Sequence, residues 1–368
     1  MLDKNSVLAK ELEKRNLPDL LTAKNGEKVT TVERWESEMR PYWKNVILEH
    51  CYGKTPLYVR PEIESQTNVI DFAGKAVWET VSFTFTVNGK THIVPTQLIY
   101  PVGAKDVPFF IYLNFRPDIP DRYLPVEEII DNGFGIFSVC YNDVTTDNGD
   151  FTTGLAGLFE EETRAPNATG KIRYWSYMAS HMMDYLQTRE EADKNKIGVA
   201  GHSRLGKTAL LTAALDERFA FVCTNDSGCS GAALTRGRCE GGEPVEVICR
   251  VFPYWFCPTY HTYVGREEEM PFDQHALVGL VAPRAVFIGG AIEDVWADND
   301  NQFLSGVAAS ELWELYGKTG MIAPDRLPVV GDVFTDGNVG FHLRTGKHYH
   351  SRTDWLIYMD AVKKLFEK

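Results

Sequence analysis

The sequence predicts an α/β fold: a doubly wound, mostly parallel sheet with an antiparallel N-terminal hairpin, arranged as a three-layer sandwich. Three observations predict it. Between residues 76 and 100, apolar and polar residues alternate with period two around Asn88-Gly89, a hairpin signal. Beyond residue 108, short continuous apolar runs alternate with segments of helical period, as expected of parallel strands buried on both faces. At 197–210 (Ile-Gly-Val-Ala-Gly-His-Ser-Arg-Leu-Gly-Lys-Thr-Ala-Leu) an apolar strand enters a tight small-residue turn and a helix begins at once.

The elements follow in order. Residues 1–60 read as a helical and irregular lead-in to a single domain spanning 1–368. Val32 to Cys51 carries Trp35, Met39, Tyr42, Trp43, Val46 and Ile47 at helical spacing, ahead of Gly53 and Pro56. Ala76–Val87 alternates and Thr96–Tyr100 pairs back. Pro108–Phe115 and Gly135–Tyr141 are buried-strand runs, separated by a short helix from Val126 that Gly133 stops. Residues 142–170 form a polar, Gly/Thr-rich insertion on the side of the site, too long for a simple connector; such loops are often functional. Lys171–Thr188 is a helix with Trp175, Met178, Met182 and Leu186 on its core stripe. Ile197–Ala200 is a strand, Lys207–Leu215 a helix, and Phe221–Thr224 and Arg284–Gly290 further strands. A helix over Leu304–Tyr316, a last strand over Val339–Arg344 and an amphipathic helix over Trp355–Phe366 close the chain. No internal repeat or low-complexity tract interrupts it.

Composition narrows the function classes. A net charge of −13 argues against nucleic acid or an anionic membrane as main partner. No run of about eighteen apolar residues is present, as a membrane span would need. The N-terminus, Met-Leu-Asp-Lys-Asn-Ser-Val-Leu-Ala-Lys, lacks an apolar signal region. The chain as given therefore reads as cytoplasmic, or as exported with its signal already removed. Seven cysteines have no zinc-ligand spacing: Cys249 and Cys257 are too far apart, and Cys223 and Cys229 lack a second pair. Mostly free buried thiols are expected.

The turn at 201–204 has the form of a nucleophile elbow. Gly201 permits a sharp turn that leaves Ser203 exposed at a strand end, and the following helix points free N–H groups at the place where an oxyanion would form. The pattern departs from G-x-S-x-G: Leu205 stands where the second glycine is expected and Gly206 comes one later. A serine hydroxyl needs a base, and the base an orienting carboxylate. Of the histidines after the serine (His261, His275, His342, His348 and His350), His348 is the expected base, because it lies in the loop between the last strand and the last helix. His350 is its nearest competitor, and His342, inside the strand, reads as structural. Two acids compete: Asp294, following the strand Ala285–Gly290, and Asp226, following the strand at Phe221. Arg204 and Lys207 bring two cations to a helix N-terminus. This opposes the macrodipole unless negative charge develops nearby.

At these residues the chain resembles the glucuronoyl esterases, carbohydrate esterase family 15, especially the bacterial members. The resemblance rests on Gly201-His-Ser-Arg-Leu-Gly-Lys, Asn225-Asp-Ser-Gly-Cys-Ser-Gly-Ala-Ala-Leu, Phe252-Pro-Tyr-Trp-Phe-Cys, Asp273-Gln-His-Ala-Leu-Val-Gly-Leu-Val-Ala-Pro-Arg, Glu293-Asp-Val-Trp-Ala-Asp and the His348 loop. It runs over roughly residues 170–360, with weaker likeness back to about residue 70. It implies an α/β-hydrolase fold and no metal or other cofactor. It implies hydrolysis of the ester between (4-O-methyl-)glucuronic acid on xylan and a lignin-type alcohol. Separately, a monomer is expected. Carried over by motif, Ser203 is the nucleophile and His348 the base, and Arg204 helps bind the oxyanion. Lys207, Glu243 and Trp296 hold the uronate. The family places its acid at either of two positions, so Asp226 and Asp294 both stay open. His202 stands where fungal members carry a disulfide-forming cysteine, and no cysteine adjoins His348. Two other readings compete: another carboxylesterase specificity, acetyl xylan or feruloyl, on the same triad; and a non-catalytic carbohydrate-binding scaffold.

Overall fold

Successive residues of the run beginning at Val107 face opposite ways. Phe109, Ile111 and Leu113 lie in one apolar cluster, Phe110 and Tyr112 in another. A strand flanked by two cores has no polar face, which is why the run reads as continuous. Each fully buried Phe or Ile contributes about 1.5–3 kcal/mol of transfer free energy. A computed structural model of the chain describes residues 3–159 and 163–367.

Among the described residues, ten strands form one sheet: β1 (Glu62–Asp71), β2 (Ala76–Val87), β3 (Lys90–Pro101), β4 (Val107–Asn114), β5 (Gly135–Cys140), β6 (Ala192–His202), β7 (Phe221–Asn225), β8 (Ala285–Ala291), β9 (Val333–Phe334) and β10 (Val339–Arg344). Their spatial order is β1-β2-β3-β5-β4-β6-β7-β8-β10-β9. From β5 to β10 neighbouring strands are parallel; β1, β2 and β3 join antiparallel at one edge, and the short β9 pairs antiparallel with β10 at the other. The expected hairpin is β2–β3, with Val87 opposite Lys90. β1 went unpredicted because an edge strand has no buried partner on its far side: Ile63, Val69 and Ile70 are exposed.

One face of the sheet is covered by helices Lys171–Leu186, Arg204–Leu215, Gln274–Gly279 and Asn299–Leu315, with the N-terminal helical segment over 32–52. The other face is covered by Val126–Asp131 and Arg352–Glu367. The expected helix after the turn starts three residues earlier than Lys207, at Arg204, directly behind the serine. The insertion 142–170 contains short helices at Tyr141–Val144 and Gly154–Leu158; its residues 160–162 lie outside the described residues. The seven cysteines are unpaired, six of them buried. Among the described residues no helix is long and apolar enough to cross a membrane.

Four adjacent parallel strands, β6, β7, β8 and β10, end at the same edge of the sheet. The segments leaving them carry Ser203, Asp226, Asp294 and His348 respectively. Ligands of open α/β sheets bind outside such carboxyl ends.

Candidate active site

Ser203 follows β6 immediately and caps the next helix with φ 58° and ψ −127°. Side-chain-bearing residues rarely adopt that backbone, which costs about 1–3 kcal/mol. Two backbone bonds hold it there: the Ser203 N–H donates to the Asn225 carbonyl (2.8 Å), and the Ser203 carbonyl accepts from Lys207 N–H (3.0 Å). The glycine pattern follows from these contacts. A Cβ on Gly201 would stand 2.1 Å from the Leu205 carbonyl oxygen, and one on Gly206 would stand 2.9 Å from the Asn225 oxygen. Gly206 is thus where the helix touches β7, while Leu205 faces the core. The second glycine is displaced because the close approach is at that position.

Ser203 opens into a cleft of about 370 Å³, lined also by Arg204, Lys207, Asp226, Glu243, Phe252, Trp255, Asp294, Trp296 and His348. His348 is half exposed, and its Nδ1 lies 2.6 Å from Oδ2 of the nearly buried Asp294. Asp226 sits deeper. Its Oδ1 accepts from the Ala291 N–H at 3.0 Å, and its Oδ2 lies 3.6 Å from Arg344 Nη2 and 3.9 Å from His202 Nδ1. Burial, with the charges of Asp294 and Asp354 added, pushes the Asp226 carboxyl well above the usual carboxylate range.

The other histidines are occupied elsewhere. His350 is fully buried, 3.1 Å from the Tyr112 hydroxyl and stacked on Trp355, and it does not line the cleft. His342 bonds Asp354 at 2.8 Å, the structural role expected of it. His275 and His261 bond the carbonyls of Pro18 and Pro253.

The two cations differ. Lys207 is buried and donates to the Ser227 carbonyl; burial pulls its pKa down while Glu243 pulls it back up. Burial raises the Glu243 carboxyl, with Lys207 and the Trp296 side chain opposing the shift. Glu243 N–H also donates to the Trp296 carbonyl at 3.0 Å, and the Trp296 ring stays 48% exposed at the rim. Arg204 pairs with Asp147 of the insertion and lies over Trp255 and Phe252.

Five residues near the cleft carry no role assigned from the sequence. Asp147 sits in a Thr-Thr-Asp-Asn-Gly-Asp run whose turn chemistry hides it. Phe252 and Trp255, in a motif that was recognised, form a wall of parallel rings 3.8 Å apart. Arg344 donates to the carbonyls of Thr345 and Lys347 at 2.9 and 3.3 Å, and to that of Tyr349, so it wraps the His348 loop. His202 is buried with its ring centre 4.4 Å from that of His348. Nitrogens of His202 and His348 and an oxygen of Asp226 lie within 4.8 Å of one another, the one such potential metal-ligand group among the described residues. The Arg344 guanidinium beside Asp226 opposes a cation there.

Comparison with known proteins identifies relatives of this chain. A sequence model of the family described as "Glucuronyl esterase, fungi" matches residues 83–317. Carbohydrate esterase MZ0003, from an unknown prokaryotic organism, is 30% identical over an alignment covering 95% of this chain and 89% of that protein. The 4-O-methyl-glucuronoyl methylesterase of Schizophyllum commune is 28% identical over 82% of this chain and 74% of its own. Among solved structures, a glucuronoyl esterase from Solibacter usitatus superposes with a TM-score of 0.88 at 30% identity, covering 95% of this chain and 97% of that one.

Proposed function

The chain belongs to the glucuronoyl esterase family, and on that footing we propose that it is a serine esterase acting on esters of glucuronic acid. The bond cleaved joins the C6 carbonyl of a (4-O-methyl-)glucuronate to an alcohol. The preferred source is a lignin-type alcohol esterified to glucuronoxylan. One observation carries the reading: Ser203 on its strained elbow shares a cleft with a His348 whose Nδ1 is 2.6 Å from Asp294.

The steps follow from that arrangement. Asp294 accepts a hydrogen bond from the Nδ1–H of His348, which fixes the tautomer and leaves the Nε2 lone pair as base. Ser203 Oγ attacks the ester carbonyl carbon and gives its proton to Nε2. The carbonyl oxygen gains charge in front of the first-turn N–H groups of the helix at Arg204 and beside the Arg204 guanidinium. Collapse breaks the bond to the alcohol oxygen, which leaves with the proton from His348. Water then attacks the glucuronoyl-Ser203 ester with His348 as base. Breakage of the bond to Oγ returns the proton to Ser203 and frees the uronate. No cofactor enters this sequence.

Lys207 and Glu243 offer a donor and an acceptor for sugar hydroxyls, and Trp296 an apolar face for the ring. Their removal from water makes them selective, because a substrate lacking the matching hydroxyls leaves their remaining hydrogen-bonding capacity unmet. The test compares rates on methyl glucuronate, methyl galacturonate and 4-nitrophenyl acetate. A kcat/KM for glucuronate at least about 100-fold above that for the other two supports the reading, since a buried polar site discriminates on that scale or beyond. Equal rates contradict it and favour a general carboxylesterase.

A further inference from the structure

Asp147 is the most heavily engaged carboxylate beside the cleft, and nothing in the chemistry above uses it. Its Oδ1 accepts from Trp255 Nε1 at 2.7 Å. Its Oδ2 accepts from the Tyr141 hydroxyl at 3.1 Å and pairs with Nη1 of Arg204. Its carbonyl accepts from the Tyr254 hydroxyl at 2.9 Å, and its N–H donates to Asn142 Oδ1 at 3.0 Å. The side chain is 10% exposed. The segment that carries it is itself tied down. Lys171 Nζ donates to Thr145 Oγ1 at 2.9 Å, and Trp175 Nε1 donates to the Thr145 carbonyl at 3.1 Å.

These contacts fix an arginine that would otherwise be mobile. The Arg204 guanidinium lies 4.6 Å from the Trp255 ring centre and 5.0 Å from that of Phe252, so its plane is held by the aromatic wall. Asp147 holds one corner of that plane through Nη1. Trp255 serves twice, as the surface under the guanidinium and as a donor to the carboxylate that grips it. Nε of Arg204 is buried and has no hydrogen-bond partner among the described residues. An arginine at the first position of a helix also opposes the macrodipole, and a carboxylate against it offsets that cost.

We propose that Asp147 is a positioning residue for the esterase reaction: it pins the Arg204 guanidinium against the Phe252–Trp255 wall so that its unspent N–H donors are pre-aimed at the oxygen that gains charge when Ser203 attacks. This rests on the reading of Arg204 as an oxyanion donor. Donors fixed in advance stabilise the transition state more than the ground state. Loss of the pin therefore lowers kcat and leaves KM nearly unchanged. A merely structural aspartate would lower the amount of folded enzyme and its melting temperature without that split.

The test is a double-mutant cycle on methyl glucuronate with Asp147→Asn and Arg204→Ala, each variant checked by thermal melting. Arg204→Ala is expected to lower kcat about 100- to 1000-fold, and Asp147→Asn about 10- to 100-fold, with KM within about threefold. The double variant should match Arg204→Ala within about threefold, because Asp147 acts through Arg204. Losses that multiply overturn the proposal. An unchanged kcat for Arg204→Ala alone overturns the oxyanion role and this inference with it, while the uronate specificity is tested separately by the substrate comparison above. If Asp147→Asn does not fold, Trp255→Phe keeps an aromatic face at that position and removes the donor to Asp147. It should lower kcat several-fold in the parent enzyme and not in the Arg204→Ala background; equal losses in both overturn the proposal.

Discussion

Oδ2 of Asp294 lies 2.6 Å from Nδ1 of His348, while Asp226, with an oxygen within 4.8 Å of a nitrogen of the same ring, accepts from the Ala291 N–H through Oδ1 at 3.0 Å. Two carboxylates therefore sit near one imidazole with different surroundings. Asp294 makes the short contact to Nδ1, and burial drives Asp226 toward its neutral form. The expected result is that Asp294→Asn lowers kcat about 1000-fold, because the amide favours the wrong imidazole tautomer. Asp226→Asn, close in shape and charge to a protonated acid, should cost less than about tenfold. Steady-state rates of the two variants on methyl glucuronate decide this; the reverse ranking would make Asp226 the orienting acid.

Lys207 should separate uronate esters from simple ones. Lys207→Met is expected to lower kcat/KM on methyl glucuronate by about 100-fold, the loss of a charge-assisted hydrogen bond. On 4-nitrophenyl acetate the change should stay within about threefold. Equal losses on both substrates would mean that Lys207 supports the turn through its bond to the Ser227 carbonyl and does not read the sugar.

Trp296 stands at the rim, 48% exposed, so its removal leaves no large cavity. Trp296→Ala should raise KM about three- to tenfold with kcat little changed, as loss of binding shared by ground and transition states requires. Its unfolding free energy should shift by less than about 1 kcal/mol. A fall in kcat at constant KM would place the ring in the transition state.

Acid should unfold the protein partly through His350. Burial pushes its pKa from 6.5 down to about 4. Between those values the unfolded chain binds a proton that the folded chain does not, so stability is full above about pH 6.5 and declines as pH falls to about 4. The loss amounts to about 3 kcal/mol. His202 and His275, also shifted down by burial, act in the same direction. Asp354 is held well below the carboxylate range, with His342 bonded to it and Arg344 beside it. Its contribution is lost only at lower pH, beneath the histidine window. Denaturant titrations from pH 7 to 4.5 should show this slope, reduced in His350→Gln; an unchanged slope would contradict the assignment.

The sequence made legible what repeats or what must be tight. Period-two alternation revealed β2 and β3, continuous apolar runs revealed β4 and β5, and Gly201 and Gly206 marked a backbone contact that admits no Cβ. Ser203 was proposed from the strand–turn–helix pattern and His348 from its place after the last strand, and the fold brings both to one cleft; family membership agrees with the fold and function that the motifs implied. Which acid touches His348 was not legible, because Asp226 and Asp294 both follow strands and only the path of each loop sets the distance. Asp147 was hidden for a related reason: an aspartate in a polar loop looks like a turn residue until the fold brings Trp255, 108 positions away, against it. β1, with its outer side chains in solvent, lacked the burial that writes a pattern.

The most direct measurement is the hydrolysis of methyl glucuronate by Ser203→Ala, with labelling of the parent enzyme by a fluorophosphonate as its companion. The serine mechanism predicts that kcat falls by a factor of about 10⁴ or more, with the fold intact, and that the label resides on Ser203. A variant that keeps full hydrolysis, or a label found on any other residue, would contradict it.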